Sequence, residues 1–553
     1  MAALPKLAQT SPAYYSLVGA HSFLLGQAAW HYRPAFLRSP PPAQPTHRTF
    51  TTTQRPRDQD QKQKQPSPPP SESSKSSSPH PSTSSDAASA SLPPGWEDNA
   101  DFQNITAFSQ LPHRFFGHNQ HIRVNEDFKE SLRQILWQFR APIRYAFAYG
   151  SGVFGQGKAS NTDLSPHPNP PKAVEEWQKG GAKIIDFIFG VSHTQHWHSL
   201  NLTQHPEHYS GLRYLPYSSA AISHVQDDFG AGVYFNPFIT VNGTMIKYGV
   251  VNLDTLGKDL TDWNTLYLAG RLQKPVKILR DDPRMRLANQ VNLISALRTA
   301  LLMLPEKFSE RQLYERIAGL SYLGDPRMNP YITSENPNKV SNIVGAQLPG
   351  FRQLYVPLID NLPNVAFTDA RTPREGSWEK EDAIRFTGSN PRLDGVLGGE
   401  MGLGLSQDMD PIKRGNMVRR LPKAFRRKLY FQYKKKFGIP GSAFSDVLEA
   451  SEDEDAATGF KKREGGEFER RISGEADLPE VMARCVRSTV AWPATAQSVK
   501  GAFTAGIGRS WKYYAEKRAK GGATAAKKAA TDEEAVAPKV KGEAGVGKEG
   551  KRD

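Results

Sequence analysis

The chain has 553 residues, 71 Lys and Arg against 56 Asp and Glu, and a formal net charge of +15. Its single cysteine, Cys485, excludes an intrachain disulfide framework and a multi-cysteine zinc site, and fits a reducing compartment. No apolar run approaches the roughly 18 residues a spanning helix requires, and the positive charge suits nucleic acid, an anionic membrane surface or plain solubility.

Residues 1–57 hold no Asp or Glu but carry Lys6, Arg33, Arg38, Arg48, Arg55 and Arg57 among Ser, Thr, Ala and aromatic residues. That composition predicts a mitochondrial transit peptide, because a secretory signal needs a compact apolar core and the stretch 15–30 is broken by Ser, Gly, His and Gln. Arg48-Thr49-Phe50 marks a processing neighbourhood. From 58 to 98 the chain is rich in Gln, Lys, Pro and Ser and reads as a disordered linker, with folding starting near Trp96.

Phe128, Leu132, Ile135, Leu136 and Phe139 recur at three- and four-residue spacing, which predicts a helix capped near Asn125 and running to Arg140. A strand over 144–149 follows and ends in the small-residue turn Gly150-Ser151-Gly152-Val153-Phe154-Gly155. Such a turn leaves backbone N–H groups for an anion, with the Ser151 hydroxyl able to donate to a phosphate, although ordinary strand-to-helix turns look the same. The stretch 157–180, with Pro166, Pro168, Pro170 and Pro171, reads as an insertion without a core role. The next apolar run, 183–190, carries Asp186 inside a strand otherwise too hydrophobic for a charge.

Five histidines then follow, His193, His196, His198, His205 and His208, without a metalloprotease-type spacing. Phosphate contacts, caps and packing account for them better than zinc. After the tight stretch Gly230–Pro237, Asn242-Gly243 separates two apolar runs and predicts a hairpin. Lys247 on the return strand either snorkels at an edge or places its ammonium over a triphosphate; its position between Gly-rich elements favours the triphosphate. Arg271 and Lys274 contact phosphate or form surface pairs.

Helices over 284–303 and 306–318 open a second, helical domain. Beyond an irregular stretch at Pro326, Pro330 and Pro337, residues 366–410 read as a mobile charged insert. The stretch 413–436 interleaves eleven Lys and Arg with Leu421, Phe425, Leu429, Tyr430, Phe431 and Tyr433, a basic surface with aromatic anchors for RNA or lipid headgroups. Trp492, Val499, Phe503 and Trp511 with Lys500, Arg509 and Lys512 predict an interfacial helix, and the tail from 516 reads as disordered.

A Gly-Ser turn facing a strand carboxylate is the minimum of a nucleotidyl-transfer site, the turn holding a triphosphate and Asp186 holding Mg²⁺. Sites of that kind pair two carboxylates as Asp-x-Asp, and here the second position is Ile188. Asp254, Asp227 and Asp228 are the candidates for a replacement.

Six stretches in order, 149–156 (YGSGVFGQ), 186–191 (DFIFGV), 196–202 (HWHSLNL), 230–236 (GAGVYFN), 246–250 (IKYGV) and 263–276 (WNTLYLAGRLQKPV), resemble the mitochondrial phosphatidate cytidylyltransferase family. The resemblance covers roughly 99–365 and loosely the basic C-terminal part. It implies an α/β (α+β) fold: a nucleotidyltransferase-like mixed sheet with flanking helices over 99–276, then a smaller helical, winged-helix-like domain over 277–365. An insert with the basic segment (366–470), a membrane-associating segment (471–515) and the tail complete the plan. It also implies CTP and phosphatidic acid as substrates and Mg²⁺ as cofactor. The expected location is the matrix side of the mitochondrial inner membrane, peripherally on its anionic lipid surface, with no nucleic-acid partner and a homodimer left open. Carried over by position, Gly150, Ser151 and Gly152 engage the CTP phosphates, Asp186 holds the metal, and Lys247 neutralises triphosphate charge, while His198 and Asn201 help to form the substrate cleft. An RNA nucleotidyltransferase and a non-catalytic scaffold of mitochondrial protein import are the alternatives.

Overall fold

The computed structural model describes residues 96–97, 104–155, 165–178, 183–328, 338–368, 403–452 and 464–505. The expected transit peptide, most of the linker, the 369–402 and 453–463 parts of the insert, and the tail lie outside the described residues.

A five-stranded sheet orders β1 (Tyr145–Tyr149), β2 (Ile185–Val191), β3 (Val233–Val241), β4 (Thr244–Asn252) and β5 (Lys277–Arg280) as β3-β4-β2-β1-β5. β2 and β4 are parallel and the other pairs antiparallel, so the sheet is mixed as expected. Alternation along β2 divides its side chains between two cores. Phe187 and Phe189, with Tyr248 and Val250 of β4, pack beneath α1 (Glu126–Trp137) and Trp197 of a later helix. Ile188, with Phe147, Val233 and Phe235, joins the opposite and larger core. Each buried Phe-sized side chain stabilises the fold by about 1.5–3 kcal/mol.

The local signals in the sequence are met at both ends of this sheet. Asn125 caps α1, accepting from Asp127 N at 2.8 Å and Phe128 N at 3.1 Å. Asn242 and Gly243 hold positive φ of 47° and 70° between β3 and β4, as a tight hairpin turn requires. β3 starts at Val233, earlier than the hairpin pattern suggested, because only Gly230 to Gly232 form the turn.

The stretch read as an insertion does have a core role. Its helix α2 (Lys172–Trp177) buries Val174 completely and stacks Trp177 on Phe128 of α1 at 4.9 Å. The next helices are α3 (Thr194–Gln204), α4 (Ser218–Asp228), α5 (Leu253–Asp262) and the short α6 (Ala269–Leu272). Then α7 (Pro283–Leu302) is buried on nearly every face rather than on one stripe, because helices surround it. α8 (Glu310–Gly319), α9 (Lys339–Ala346) and α10 (Leu348–Ile359) follow.

A second, antiparallel sheet joins β6 (Lys307–Ser309), β7 (Val365–Phe367) and β8 (Gly404–Gln407) in the order β6-β8-β7. β8 therefore belongs to the fold although it lies within the expected insert. Gln407 donates to the carbonyls of Leu301, Leu304 and Pro305, satisfying the end of α7. Further upstream, Glu97 forms a buried bidentate pair with Arg298, its oxygens 2.6 and 2.7 Å from the guanidinium nitrogens.

Two expected membrane surfaces change character. In the helix Lys423–Phe437, Phe425, Leu429, Tyr430 and Tyr433 are fully buried, so these residues are core rather than anchors; Phe425 meets Trp263 edge-on at 5.5 Å. In the helix Leu478–Ala505, Leu478, Val481, Met482, Cys485, Val486, Val490 and Ala494 are buried, while Trp492 and Val499 remain 73% and 53% exposed. The apolar periodicity of both helices serves tertiary packing first. Among the described residues no helix is long and apolar enough to cross a membrane.

Candidate active site

β1 and β2 bring the turn and the carboxylate together, because Tyr149 pairs with Asp186 across the strands. Gly150 holds φ at 79°, and a Cβ there would stand 3.2 Å from Asp186 Oδ2. A side chain would thus be strained and would crowd the carboxylate. Gly152 is required for a different reason: its Cβ would lie 2.5 Å from the Ile184 carbonyl oxygen, where the turn crosses the start of β2. Gly150 O accepts from Val153 N and Phe154 N at 3.1 and 2.9 Å, and Ser151 is partly exposed at the mouth of the turn.

β4 places Lys247 directly opposite Asp186, with Nζ 3.8 Å from Oδ1. β4 is an interior strand, so Lys247 does not snorkel at an edge; its ammonium sits 4.5 Å from the Phe235 ring centroid. Both partners retain about a third of their side-chain exposure, 36% for Lys247 and 28% for Asp186, so ligand can reach them. Burial raises the Asp186 carboxyl above the usual carboxylate range, against the opposing pull of Lys247, Arg271, Lys339 and Arg327.

Apart from Lys247, those cations come from the helical side. Arg271 on α6 lies over the Tyr267 ring at 3.9 Å and the Tyr149 ring at 5.6 Å. Lys274 donates to Ser321 Oγ at 2.8 Å and to the Gly270 carbonyl, and burial together with Arg271 and Lys339 pushes it down to about 7. Lys274 and Lys339 flank Tyr322 at 5.2 and 5.3 Å from its ring centroid, and Arg327 pairs with Asp325 at 2.6 Å. Arg271 and Lys274 are therefore part of the cleft wall rather than surface pairs.

The loop carrying Arg271 is organised by Asp259. Its Oδ1 accepts from Thr265 N, Thr265 Oγ1 and Leu266 N at 2.8–2.9 Å, and Oδ2 from Leu268 N and Ala269 N at 2.9 and 3.0 Å. One carboxylate thus satisfies four backbone donors and holds Leu266 at a positive φ of 55°.

The profile of a family described as "Phosphatidate cytidylyltransferase, mitochondrial" matches residues 132–520. The chain belongs to the mitochondrial phosphatidate cytidylyltransferase family. A Schizosaccharomyces pombe relative of that name is 34% identical over 403 residues, 73% of this chain and 86% of the relative. A Saccharomyces cerevisiae relative is 42% identical over 267 residues, 47% of this chain and 63% of the relative. One from Xenopus laevis is 46% identical over 234 residues, covering 42% and 63% respectively.

This family member carries Asp186 without a replacement for Ile188 among the expected candidates. Asp254 follows Asn252, which pairs with Val191, five residues along β2 from Asp186 and so about 16 Å away at the strand rise. It pairs instead with Arg284 at 3.1 Å. Asp227 accepts from Thr194 Oγ1 at 2.7 Å, at that same far end, and Asp228 pairs with His224. Of these carboxylates Asp186 is thus the single one that would hold Mg²⁺ here, an ion commonly bound through one or two carboxylates plus substrate phosphates and water.

His198 and Asn201 lie on the other side of the sheet and do not line the cleft. His198 bonds Tyr209 OH at 2.9 Å and Gln226 Oε1 at 2.8 Å, and Asn201 donates to Tyr209 OH and Tyr248 OH at 3.0 Å each. Both are completely buried, and burial lowers His198 to about 4, so it is neutral core. His205, Glu207 and His208 bring ligating atoms within 4.8 Å of one another, but the two rings stack with centroids 4.5 Å apart at 5°, so their in-plane lone pairs do not converge.

The site residues not anticipated are Arg327 and Lys339. They flank a proline-broken stretch without periodicity; Lys339 meets Lys274 only across the Tyr322 ring, and Arg327 is related to the site only through its charge on Asp186 and Arg271. Asp259 lies just before the 263–276 stretch, and its four backbone donors follow from the fold of that loop.

Proposed function

We infer that this protein transfers a cytidylyl group from CTP to phosphatidic acid, giving CDP-diacylglycerol and pyrophosphate for cardiolipin synthesis. The observation that carries the reading is the Asp186–Lys247 pair at 3.8 Å, set against the turn glycines and beneath Arg271, Lys274, Arg327 and Lys339. A phosphate oxygen of phosphatidate attacks the α-phosphorus of CTP, and the bond from that phosphorus to the bridging oxygen breaks as pyrophosphate leaves. Most of the work on such a transfer is positioning and charge stabilisation. Lys247 and the Arg271–Lys274 wall offset negative charge growing on the leaving pyrophosphate, and Ser151 donates its hydroxyl to a phosphate oxygen. Asp186 would hold Mg²⁺, which would supply further charge neutralisation when bound.

The acceptor is a membrane lipid, and the protein works from the matrix face of the inner membrane as a peripheral enzyme. The exposed Trp492 and Val499 suit contact with the headgroup zone. Phe425, Tyr430 and Tyr433 of the helix Lys423–Phe437 are buried and unavailable as base-stacking platforms, leaving Phe431 the one exposed aromatic of the expected anchors, which disfavours an RNA acceptor.

Full-length protein is incubated with radiolabelled CTP, Mg²⁺ and phosphatidate vesicles, and with RNA in parallel. The expected result is label in lipid alone, falling by about 100-fold or more in Asp186→Asn and by about 10- to 100-fold in Lys247→Ala. Label in RNA, or lipid labelling unaffected by both substitutions, overturns the assignment.

A further inference from the structure

The stretch 165–178 makes a set of contacts that the reaction chemistry does not by itself require. Gln178, 9% exposed, donates Nε2 to Gly152 O at 2.7 Å and to Lys183 O at 3.0 Å, and its Oε1 accepts from Lys183 N at 2.8 Å. The same Oε1 lies 3.1 Å from His167 Nε2. His167, 6% exposed, accepts at Nδ1 from Met245 N at 2.9 Å. That contact assigns the tautomer, since an Nδ1 that accepts leaves the proton on Nε2, where it donates to Gln178.

Three backbone segments therefore meet at one buried pair of side chains. Gly152 is the neighbour of Ser151, Lys183 lies three residues before Asp186, and Met245 lies two before Lys247. Trp177 adds a fourth hold, donating Nε1 to Val153 O at 2.8 Å. The interior hydrogen bonds of β2 and β4 fix these strands relative to each other. The turn has no strand partner beyond Tyr149, so its distance from Asp186 depends on side chains.

We propose that Gln178, held by His167, is a positioning residue that sets the phosphate-binding turn against the Asp186–Lys247 pair. The proposal rests on the reading of that pair and turn as the cytidylyl-transfer site. Gln178 touches no reacting atom. It acts through the Gly152 and Lys183 backbones, with the bond to Gly152 O buried at 2.7 Å and those to Lys183 partly buried at 2.8 and 3.0 Å, and a buried carbonyl left without its donor is costly. Because displacement of a catalytic group by about 1 Å can cost on the order of 100-fold, loss of this brace is expected to be felt at the phosphates.

The test uses the full chain with phosphatidate vesicles, and compares Gln178→Leu, Gln178→Glu, His167→Leu and His167→Gln with Asp186→Asn and a Glu175→Gln control on the exposed face of α2. Gln178→Leu removes both donor bonds, and Gln178→Glu sets a carboxylate oxygen against two carbonyls. Both are expected to raise the CTP KM and lower kcat, by about tenfold each, with the phosphatidate KM unchanged. His167→Leu is expected to do the same more weakly, and His167→Gln, which retains an amide donor for Gln178, to restore constants to within about threefold of wild type.

A residue that only stabilises the fold behaves differently: it reduces the folded fraction and the apparent kcat but leaves the CTP KM alone. A wild-type CTP KM in folded Gln178 variants overturns the brace, as does His167→Gln no better than His167→Leu. If both Gln178 variants fail to fold, the two His167 variants decide by the same KM criterion. Full activity in Asp186→Asn would instead reject the site itself, so the two failures are separable.

Discussion

Asp259→Asn isolates what one carboxylate does for the loop that presents Arg271. With the amide oxygen in place of Oδ1, the bonds from Thr265 N, Thr265 Oγ1 and Leu266 N persist. The amide NH₂ then meets Leu268 N and Ala269 N, donor against donor, where Oδ2 accepted at 2.9 and 3.0 Å. Two hydrogen bonds to a charged acceptor are lost and two buried N–H groups are left unsatisfied, at about 1.5–3 kcal/mol apiece. The expected destabilisation is about 3–6 kcal/mol, a large share of a typical total of about 5–15 kcal/mol. Urea unfolding followed by circular dichroism measures it as a lower midpoint at unchanged slope. Because α6 begins at Ala269, the guanidinium of Arg271 shifts with the loop, and kcat/KM for CTP is expected to fall by about 10- to 100-fold even in the folded fraction. Asp259→Asn within about 0.5 kcal/mol of wild type, the range of ordinary surface changes, would refute the account.

Gly150→Ala is expected to lose about 1–2 kcal/mol to left-handed backbone strain and to lower kcat more than stability, since its Cβ would stand 3.2 Å from Asp186 Oδ2; kinetics and thermal melts on one preparation separate the two effects. Lys274 has its folded pKa pushed down to about 7, below the unfolded value, with burial the first cause and the Arg271 and Lys339 charges next. The unfolded chain therefore binds more protons between about pH 7 and 10, and this group's contribution to stability rises with pH across that window, relative to Lys274→Met. CTP, by contrast, favours the charged ammonium, so calorimetric CTP affinity should weaken as pH rises above 7 in wild type and less so in Lys274→Met. Replacing exposed Trp492 and Val499 by Ser is expected to reduce sedimentation with anionic liposomes and to move stability by no more than about 0.5 kcal/mol; unchanged sedimentation removes that face of the helix from the docking surface.

Much of the catalytic sheet was legible because its signals are local. The Asn125 cap, the period of α1, the apolar run around Asp186 and the Asn242-Gly243 turn each depend on neighbours within a few residues. The same holds for Gly150, whose positive φ is a property of one turn. What was not legible depends on contacts between distant segments. Phe425 and Tyr430 lie among eleven cations in sequence, yet they face Trp263 and Phe468 in the core, with ring centroids 5.5 and 5.1 Å away. Periodicity reports that a face is apolar without reporting what covers it. The 157–180 stretch misled for a related reason: its prolines and polar residues read as a loop, and only the fold reveals that His167 and Gln178 are turned inward.

Position 188 shows why a second carboxylate is missing from β2. Ile188 faces the same way as Asp186 but two residues deeper, where it lies fully buried in the core with Phe147, Val233 and Phe235. A Cβ on neighbouring Gly249 would come within 2.9 Å of its Cδ1, so the packing there is close. An ionised carboxylate at 188 would lose its hydration among apolar groups, at a cost of several kcal/mol unless paired. At 186, where the strand emerges, burial still raises the carboxyl, but 28% of the side chain stays exposed and Lys247, Arg271, Lys339 and Arg327 offset part of the cost. With Asp325 paired to Arg327, two carboxylates stand among Lys247, Arg271, Arg327 and Lys339, and Lys274 is only partly protonated near neutral pH, so the cleft keeps a net positive balance, and both of its proposed substrates are polyanions. A second acidic residue on β2 would help to hold a metal but would subtract from the field that draws the triphosphate and the lipid phosphate together. On the proposed function, the cations of the helical wall would offset phosphate charge that a second carboxylate-bound metal would otherwise neutralise.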